Sequence, residues 1–471
     1  MGITIDRFVE KYTAAIQEGH AALFAGAGLS APSGFVNWQE LLRPFANDIS
    51  LSIEREHDYL AVAQYYYNEK GQNRSAFSNE ILRRFSESSK ENAAVEIVTR
   101  LPIRTYWTTN YDALIENGLK HNNRRPDIKR RIEDLALNQY DSDAVVYKMH
   151  GDITDPTNIV LLKDDYEMYE KDRGLFTTVL SGDLASKTFL FIGFSFEDPN
   201  LSAIMGRIKS ILGNNVREHY CLFQKVIRHQ NEAEEDFRYR EQKQMLMMHD
   251  LNRYGIYTVL LDSYSDIPTI LSAIENRVRK KNIFISGSMS VDTPEWSLQL
   301  ADQFASEVAG ELTSMDCRIT SGYGLGIGSA VITGVLKGIQ SKKYAHMDEY
   351  LRLYPFPQPL DGEDFRKLWS NYREQMLNDC GVAVFMFGNK KDCDGNVVNA
   401  GGMIQEFEIA QRNGARIIPL ASTGCTAREI YDKMRSNEVD YPYLEKYWDI
   451  LLSEKSSKRL AEIISAISKE G

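Results

Sequence analysis

Short apolar runs alternate with amphipathic or polar stretches along the whole chain. Apolar side chains recur at helical spacing from Ile5 to Ile16, and this spacing predicts an opening helix. A buried strand, Ala21–Ala25, follows and leads directly into a small-residue turn at 26–30. Five more strands are predicted at 104–108, 145–149, 189–192, 220–223 and 257–261. Strands that alternate with helices are typical of an α/β domain with a parallel sheet.

The same alternation starts again near residue 280. A helix predicted at 270–278 is followed by a strand at 283–285 and a small-residue turn at 286–288. Further strands are predicted at 317–320, 383–387 and 416–420, and the charged stretch 231–250 is interpreted as one solvated helix. We therefore predict two Rossmann-like parallel-sheet α/β domains, residues 1–280 and 281–471.

Composition and charge exclude several classes of protein. The chain has 471 residues and a net charge of −11, which argues against a protein that wraps nucleic acid. The longest apolar runs, such as 189–194, are far below the ~20 residues of a membrane helix, and no signal peptide is predicted from residues 1–10, which lack an apolar core. None of the five cysteines makes a C-x-x-C pair. This cysteine usage predicts a cytoplasmic protein without a metal site.

A glycine turn or polar residues follow each of four predicted strands in the first half. Gly26-Ala27-Gly28 comes after the first strand, Asn110 and His150 after two later ones, and residues 193–200 after another. Ligands of open α/β sheets bind at the carboxyl ends of strands, where glycines let a phosphate approach the backbone. A glycine turn alone equally fits tight packing, and a lone Asn or His is commonly structural. Four such strand ends together indicate one shared cleft.

The second half carries glycine-rich turns but no complete P-loop. Residues 322–329 hold four glycines after a strand, and a further pair at 401–402 opens a helical stretch that contains Glu406. The first of these loops lacks the Gly-Lys-Ser/Thr ending, so ATP hydrolysis is not indicated. Arg373 and Lys390 are candidate cations for a phosphate-bearing ligand. The alternatives are a tight packing turn for the glycines and solvated surface charges for the cations.

Residues 26–30, 109–112 and 150–151 resemble, in order and spacing, the NAD-binding core of sirtuins, and residues 193–195 fit a later turn of that core. The resemblance spans about residues 1–270 and implies that Asn110 and His150 are catalytic. It also implies that NAD+ contacts Ala27, Gly28, Ser30, Asp112, Gly193 and Ser195. Sirtuin deacetylases typically carry two zinc-binding C-x-x-C pairs, which this chain lacks, and an Asp-Phe-Arg stretch after the first glycine turn, which residues 31–38 lack. Both departures favour NAD+ hydrolysis over protein deacetylation.

The strand ends and glycine loops of the second half resemble the SLOG family, which is related to lysine-decarboxylase-like nucleotide hydrolases. Those hydrolases carry a Gly-Thr pair before their catalytic glutamate, and residues 399–406 lack it. The resemblance therefore implies sensing of a nucleotide signal rather than hydrolysis. The residues expected to bind that signal are Gly287, Ser288, Gly324, Gly326, Gly328, Arg373, Lys390 and Glu406.

A sirtuin-like half followed by a SLOG half is similar to the effector NADases of bacterial Thoeris anti-phage defence. This resemblance implies that NAD+ is the substrate, with ADP-ribose and nicotinamide as products. It implies activation by a cyclic ADP-ribose isomer that a TIR-domain partner protein makes, and assembly as a homotetramer or larger. NAD+ depletion would then cause abortive infection. The alternatives are a sirtuin-type protein deacylase or ADP-ribosyltransferase, and a sensor without enzymatic activity.

Overall fold

The chain divides into two compact units, Met1–Glu275 and Asn276–Gly471. The computed structural model describes residues 2–86, 90–196, 199–213, 215–230, 232–324, 326–340, 342, 346–356, 365–392 and 394–469. The division between the units falls inside the helix Ile267–Lys280.

The first unit contains one sheet of seven parallel strands. They are β1 (Ala21–Ala25), β2 (Thr105–Thr108), β3 (Pro126–Lys129), β4 (Ala144–Lys148), β5 (Thr188–Ile192), β6 (His219–Gln224) and β7 (Ile256–Leu261). Their spatial order is β3-β4-β2-β1-β5-β6-β7. The helices are α1 (Ile5–Gln17), α2 (Ala27–Ser30), α3 (Trp38–Asp48), α4 (Tyr59–Glu69), α5 (Ser75–Phe85), α6 (Ala93–Arg100), α7 (Leu114–His121), α8 (Ile132–Leu135), α9 (Lys163–Glu167), α10 (Tyr169–Ser186), α11 (Pro199–Leu212), α12 (Glu234–Asn252) and α13 (Ile267–Lys280).

Burial explains why β1 lies at the centre of this sheet. Every residue of β1, β2 and β5 is buried, as expected for parallel strands that are covered on both faces. The opening helix packs on this centre through the apolar face that contains Phe8, Val9 and Tyr12. The Tyr12 hydroxyl donates a hydrogen bond to the Ala22 carbonyl at 2.8 Å. The middle of the amphipathic helix is thereby fixed to the central strand.

The second unit contains a five-stranded parallel sheet and a small antiparallel hairpin. The sheet has the order β10-β9-β8-β11-β14, and the strands are β8 (Asn282–Ser288), β9 (Arg318–Ser321), β10 (Leu351–Leu353), β11 (Val382–Phe387) and β14 (Arg416–Pro419). The hairpin consists of β12 (Asn389–Lys391) and β13 (Val397–Asn399). The helices are α14 (Leu298–Ser314), α15 (Gly328–Gln340), α16 (Met347–Tyr350), α17 (Phe365–Asn378), α18 (Gly401–Arg412), α19 (Cys425–Arg435), α20 (Trp448–Ser453) and α21 (Ser457–Lys469).

The predicted fold class, two α/β units with parallel sheets, is confirmed. The predicted turn at 286–288 is wrong, because β8 continues through Ser288 and pairs with Phe387 of β11. Gly287 permits this extension: a Cβ there would lie 2.9 Å from the Met386 carbonyl oxygen. The sequence pattern does not predict β3, because Asp127 and Lys129 make this four-residue segment polar.

The charged stretch near 231–250 forms the single helix α12, as predicted. Leu251 is its one fully buried residue, so the helix is largely solvated. Across the described residues, none of the helices combines the length and the apolar content that crossing a bilayer requires.

A buried histidine makes the stability of the first unit depend on pH. His219 at the start of β6 is 2% exposed, and its Nδ1 accepts the Phe189 N–H at 3.2 Å. Burial, with a smaller contribution from Arg217, lowers the pKa of His219 to about 3. Between the unfolded pKa of about 6.5 and this value, the unfolded chain binds a proton that the folded chain does not. Stability is therefore lost as the pH falls below about 6.5.

We predict that His219→Asn, whose Oδ1 can accept the same N–H, reduces this pH dependence. Between pH 7 and pH 5 the unmodified chain should lose about 2 kcal/mol more unfolding free energy than the variant, because Asn does not titrate. Denaturant unfolding of both proteins at pH 7, 6 and 5 measures this difference. Equal losses in the two proteins would contradict it.

Candidate functional site

Four strand ends of the first unit meet at one edge of the sheet. Ala25 at the end of β1 is in register with Thr108 of β2 and with Ile192 of β5. Thr108 is in turn in register with Lys148 of β4. The segments that follow these residues therefore start side by side. Asn110 and His150 each lie two residues beyond the paired Thr108 and Lys148, which places them at equivalent positions of adjacent strands.

A hydrogen-bonded chain joins Asn110 to Asp112 through Ser30. The Asn110 amide nitrogen, Nδ2, donates to the Gly26 carbonyl and to the Ser30 hydroxyl, both at 2.9 Å. The Ser30 hydroxyl donates to Asp112 Oδ2 at 2.7 Å, and Asp112 Oδ1 accepts the Leu114 N–H at 3.0 Å. Because both hydrogens of the Asn110 amide are used inside the protein, Oδ1 is the atom of this side chain that can accept a hydrogen bond from a ligand.

These hydrogen-bonded side chains line a pocket whose volume is about 330 Å³ when the open solvent at its mouth is included. Ala27, Ser30, Asn110 and Asp112, four of the predicted residues, lie in its lining. The remaining lining residues are Val36, Asn37, Trp38, Leu41, Phe85, Thr109 and Tyr111. The lining thus combines apolar and aromatic side chains with amide, hydroxyl and carboxylate groups. Such a mixture is typical of a site for a small organic ligand.

His150 lies at the same sheet edge but outside the lining of this pocket. It is 1% exposed, and its ring packs edge-on against Tyr166 and Tyr169, with centroids 5.5 and 6.2 Å apart. Its carbonyl accepts the Val160 N–H at 3.0 Å. The structure therefore brings His150 to the predicted edge and covers it with the tyrosines of α10 and of the segment before it.

Three glycines of the β1 and β5 turns touch through their backbones. A Cβ on Gly26 would lie 2.3 Å from the Gly193 carbonyl oxygen, and one on Gly193 would lie 2.1 Å from the Leu29 nitrogen. The Gly28 N–H donates to the Gly193 carbonyl at 2.9 Å, so it is not available to a phosphate in this arrangement. Packing alone thus requires glycine at 28 and 193. Ser195 is exposed just beyond this contact.

The glycine loops of the second unit pack on the end of β8 in a comparable way. A Cβ on Gly324 would lie 2.3 Å from the Gly287 carbonyl oxygen, and one on Gly326, which has φ +82°, would lie 2.0 Å from that of Met289. Gly328 begins α15, and its N–H donates to the Gly324 carbonyl at 2.8 Å. The loop therefore crosses the carboxyl end of the central strand, with Leu325 outside the described residues.

A buried acid joins three elements next to this loop. Glu406 of α18 accepts the Ser286 hydroxyl of β8 at 2.6 Å, and its other oxygen lies 3.5 Å from Arg373 Nε of α17. Burial raises the pKa of Glu406, although Ser286 and Arg373 oppose this shift. The Arg373 guanidinium also lies 4.8 Å from the centroid of the Phe356 ring. Arg373 and Glu406 are thus brought together.

Lys390 lies on the hairpin strand β12, where its side chain is exposed. The neighbouring Asn389 links the hairpin to β8, because its carbonyl accepts the Ser288 hydroxyl at 3.3 Å. The hairpin is thus fixed beside the end of β8, and Lys390 projects from it.

Sequence reasoning missed the aromatic side chains of both sites. Trp38, Phe85 and Tyr111 line the first pocket, and the Phe85 and Tyr111 rings meet edge to face at 5.9 Å. Phe356 lies under Arg373 in the second unit. Tyr111 lies within the 109–112 motif, so its position could have suggested it, whereas Trp38 lies eight residues after the 26–30 motif. Phe85 and Phe356 reach their sites from separate elements, and local sequence carries no signal for this.

No cluster of three or more His, Cys, Asp or Glu that could hold a metal ion occurs among the described residues. Burial raises the pKa of the thiols of Cys221, Cys317 and Cys380 to about 12, 11 and 12. Cys393 lies outside the described residues. The buried thiols are therefore poor nucleophiles near neutral pH.

Comparison with known proteins finds two families along the chain. Residues 104–245 match the SIR2-like domain, and residues 266–471 match the Sir2- and TIR-associating SLOG family. Over 99% of its length the chain is 42% identical to "NAD(+) hydrolase ThsA" of Bacillus cereus (strain MSX-D12), covering 98% of that protein. It is also 42% identical to "NAD(+) hydrolase ThsA" of Cytobacillus dafuensis, over 98% of this chain and 95% of that protein. A weaker match, 26% identical over 43% of this chain and 20% of the relative, is "Defense-associated sirtuin 2" of Bacillus subtilis.

We predict that Gly193→Ala destabilises the first unit by at least about 2 kcal/mol, because φ is +67° and the added Cβ meets the backbone of α2. Gly182→Ala is the matched control, since this helical glycine has open space around it and alanine favours a helix. Thermal denaturation compares both variants with the unmodified chain. A Gly193→Ala protein as stable as the Gly182→Ala protein would contradict the close backbone contact.

Proposed function

Because this chain belongs to the ThsA family of NAD(+) hydrolases, we propose that it is a signal-gated effector of bacterial anti-phage defence. Its enzymatic activity is the hydrolysis of NAD+, as the names of these full-length relatives state. The products are ADP-ribose and nicotinamide. The SIR2-like unit carries this reaction, and the SLOG unit binds the signal that starts it.

The reaction needs little acid catalysis but accurate placement. The bond between the nicotinamide nitrogen and the ribose carbon breaks through an oxocarbenium-like state, as in glycoside hydrolysis. Nicotinamide leaves as a neutral molecule and needs no proton. Water then forms the new bond to the same carbon and gives its proton to a base. The enzyme must therefore hold the ribose, stabilise its developing positive charge and orient the water.

The observation that carries this assignment is the placement of Asn110 at the wall of the pocket. Its two amide hydrogens are fixed by Gly26 and Ser30, which leaves Oδ1 to accept a hydrogen bond from a ribose hydroxyl or from the attacking water. Asp112, held by Ser30, supports the nicotinamide end. Ala27, Gly28, Gly193 and Ser195 belong to the turns that receive the rest of the NAD+ molecule.

His150 is the proposed base or ribose contact, and it must be uncovered before it can act. Its ring is covered by Tyr166 and Tyr169 in this structure. We propose that these tyrosines control access to His150. A rearrangement of the subunits in a homotetramer or larger assembly moves the segment from Tyr166 onward and opens the NAD+ cleft. Turnover in the absence of signal is then low because the histidine is closed off from water.

The signal is a cyclic ADP-ribose isomer made by a TIR-domain partner protein. Arg373 and Lys390 would bind its phosphates, Glu406 its hydroxyls, and the loop through Gly324, Gly326 and Gly328 would lie against it together with Gly287 and Ser288. A hundredfold activation requires that the signal bind the active arrangement about 2.7 kcal/mol more tightly than the inactive one. Two charge-assisted contacts are sufficient, at about 1.5–3 kcal/mol each. NAD+ depletion would then produce abortive infection.

We predict that Asn110→Ala abolishes nicotinamide release from NAD+ while stability falls by only about 1–2 kcal/mol, the loss of two hydrogen bonds. Asn122→Ala is the matched control, because Asn122 Nδ2 donates to Glu96, Thr99 and Gly118, away from the pocket. It should lose similar stability and retain turnover. Unchanged nicotinamide release by Asn110→Ala would refute the catalytic assignment.

We predict that Arg373→Ala raises the half-maximal activating concentration of a cyclic ADP-ribose isomer by at least about tenfold, through the loss of one charge-assisted contact. Arg373→Lys keeps the charge and should give a smaller increase, because it loses the planar guanidinium. Arg428→Ala, which removes an exposed pair with Asp432, should change nothing. Activation curves of nicotinamide release test this, and an unchanged midpoint for Arg373→Ala would refute the signal pocket.

A further inference from the structure

A buried ion pair lies directly behind the Asn110–Ser30–Asp112 chain. Lys148 of β4 is 0% exposed and Glu116 of α7 is 2% exposed. Lys148 Nζ lies 3.1 Å from Glu116 Oε1 and also donates to the main-chain carbonyl of Asp112. A single buried ammonium group therefore fixes both the backbone that bears Asp112 and the first turn of the helix that follows it.

Lys148 is also close, along the sheet, to both candidate catalytic residues, His150 and Asn110. Along β4 it precedes His150 by two residues, and its Cα is in register with Thr108, two residues before Asn110. The positive charge of Lys148 also lowers the pKa of the Asp152 carboxyl. Burial raises the pKa of Asp152, but hydrogen bonds from Thr154 together with the Lys148 and Arg130 charges bring it below its ordinary value.

Stability alone is a weak reason for such a pair. Removing a lysine and a glutamate from water costs free energy that their attraction often fails to recover, and apolar residues of similar volume are frequently as good. This pair has a second use because it contacts the backbone of Asp112, two residues after the candidate catalytic Asn110, and reacting groups that are misplaced by about 1 Å can lose about a hundredfold in rate.

We infer that Lys148 and Glu116 are positioning residues for NAD+ hydrolysis. By holding the Asp112 carbonyl and the start of α7, they fix the Asp112 carboxylate that orients Ser30, and Ser30 in turn orients the Asn110 amide. Neither residue touches the substrate. This inference rests on the proposed NAD+ hydrolysis, and it assigns these residues an effect on rate rather than on substrate binding.

The chain offers a matched control on the adjacent strand. Lys129 of β3 is also buried and pairs with Asp127 at 2.8 Å, with 2% and 4% of the two side chains exposed. Its other contact is the main-chain carbonyl of Leu137. Lys129→Met therefore removes a comparable buried charge without touching residues 110–116.

The test measures nicotinamide release and thermal stability for Lys148→Met, Lys148→Met/Glu116→Gln and Lys129→Met. The full chain is used with a panel of cyclic ADP-ribose isomers. We predict that Lys148→Met lowers kcat by at least about tenfold while KM changes by less than about threefold. Removing both charges should recover thermal stability but not kcat. Lys129→Met should lower stability while kcat is retained.

Two kinetic outcomes would overturn the inference. One is a double variant whose kcat recovers together with its stability, and the other is a Lys129→Met protein that loses as much kcat as Lys148→Met. Amide hydrogen exchange distinguishes a failure of the positioning inference from a failure of the proposed NAD+ hydrolysis. If the unmodified chain releases no nicotinamide, the proposed function fails, whereas faster amide exchange at 110–116 in Lys148→Met than in Lys129→Met still supports positioning. Equal exchange in the two variants refutes it.

Discussion

Direct backbone contact between the turns after β1 and β5 is the constraint on which the first unit's site depends. The Gly28 N–H is bonded to the Gly193 carbonyl, and no side chain fits between the two turns. The contact closes the crevice between the central strands and directs α2 toward the end of β2. Ser30 at the end of α2 thereby reaches Asn110 and Asp112. Packing and chemistry are thus set by the same glycines.

Charge is used differently in the two units. In the first, a lysine and a glutamate are buried together behind the site, where their ion pair fixes the backbone and leaves the pocket wall to the amide, hydroxyl and carboxylate groups of Asn110, Ser30 and Asp112. In the second, Arg373 and Glu406 are paired beside the glycine loop, so a phosphate that engaged Arg373 would compete with an existing partner. Under the proposed function, this competition would give Arg373 two alternative partners, as a signal-dependent change of arrangement requires. The overall charge of −11 makes such local cations necessary.

The sequence predicted what periodicity and strand-end chemistry can encode: the alternation of elements, two parallel sheets, and Asn110, Ser30 and Asp112 in one pocket. The sequence could not reveal β3, because Asp127 and Lys129 are polar residues and their burial as an ion pair is apparent only in the folded structure. It also could not reveal that Phe85 arrives from a helix distant in sequence, since only tertiary packing brings it there. The covering of His150 by tyrosines is likewise a property of the folded chain.

The most direct test of the account is nicotinamide release from NAD+ by the unmodified full-length chain. It is measured alone, with each of a panel of cyclic ADP-ribose isomers, and with an acetyl-lysine peptide. We predict that one isomer raises release by about a hundredfold, a gain set by a ~2.7 kcal/mol preference for the active arrangement, and that the peptide has no effect. Release that depends on the acetyl-lysine peptide, or that no isomer changes, would contradict it.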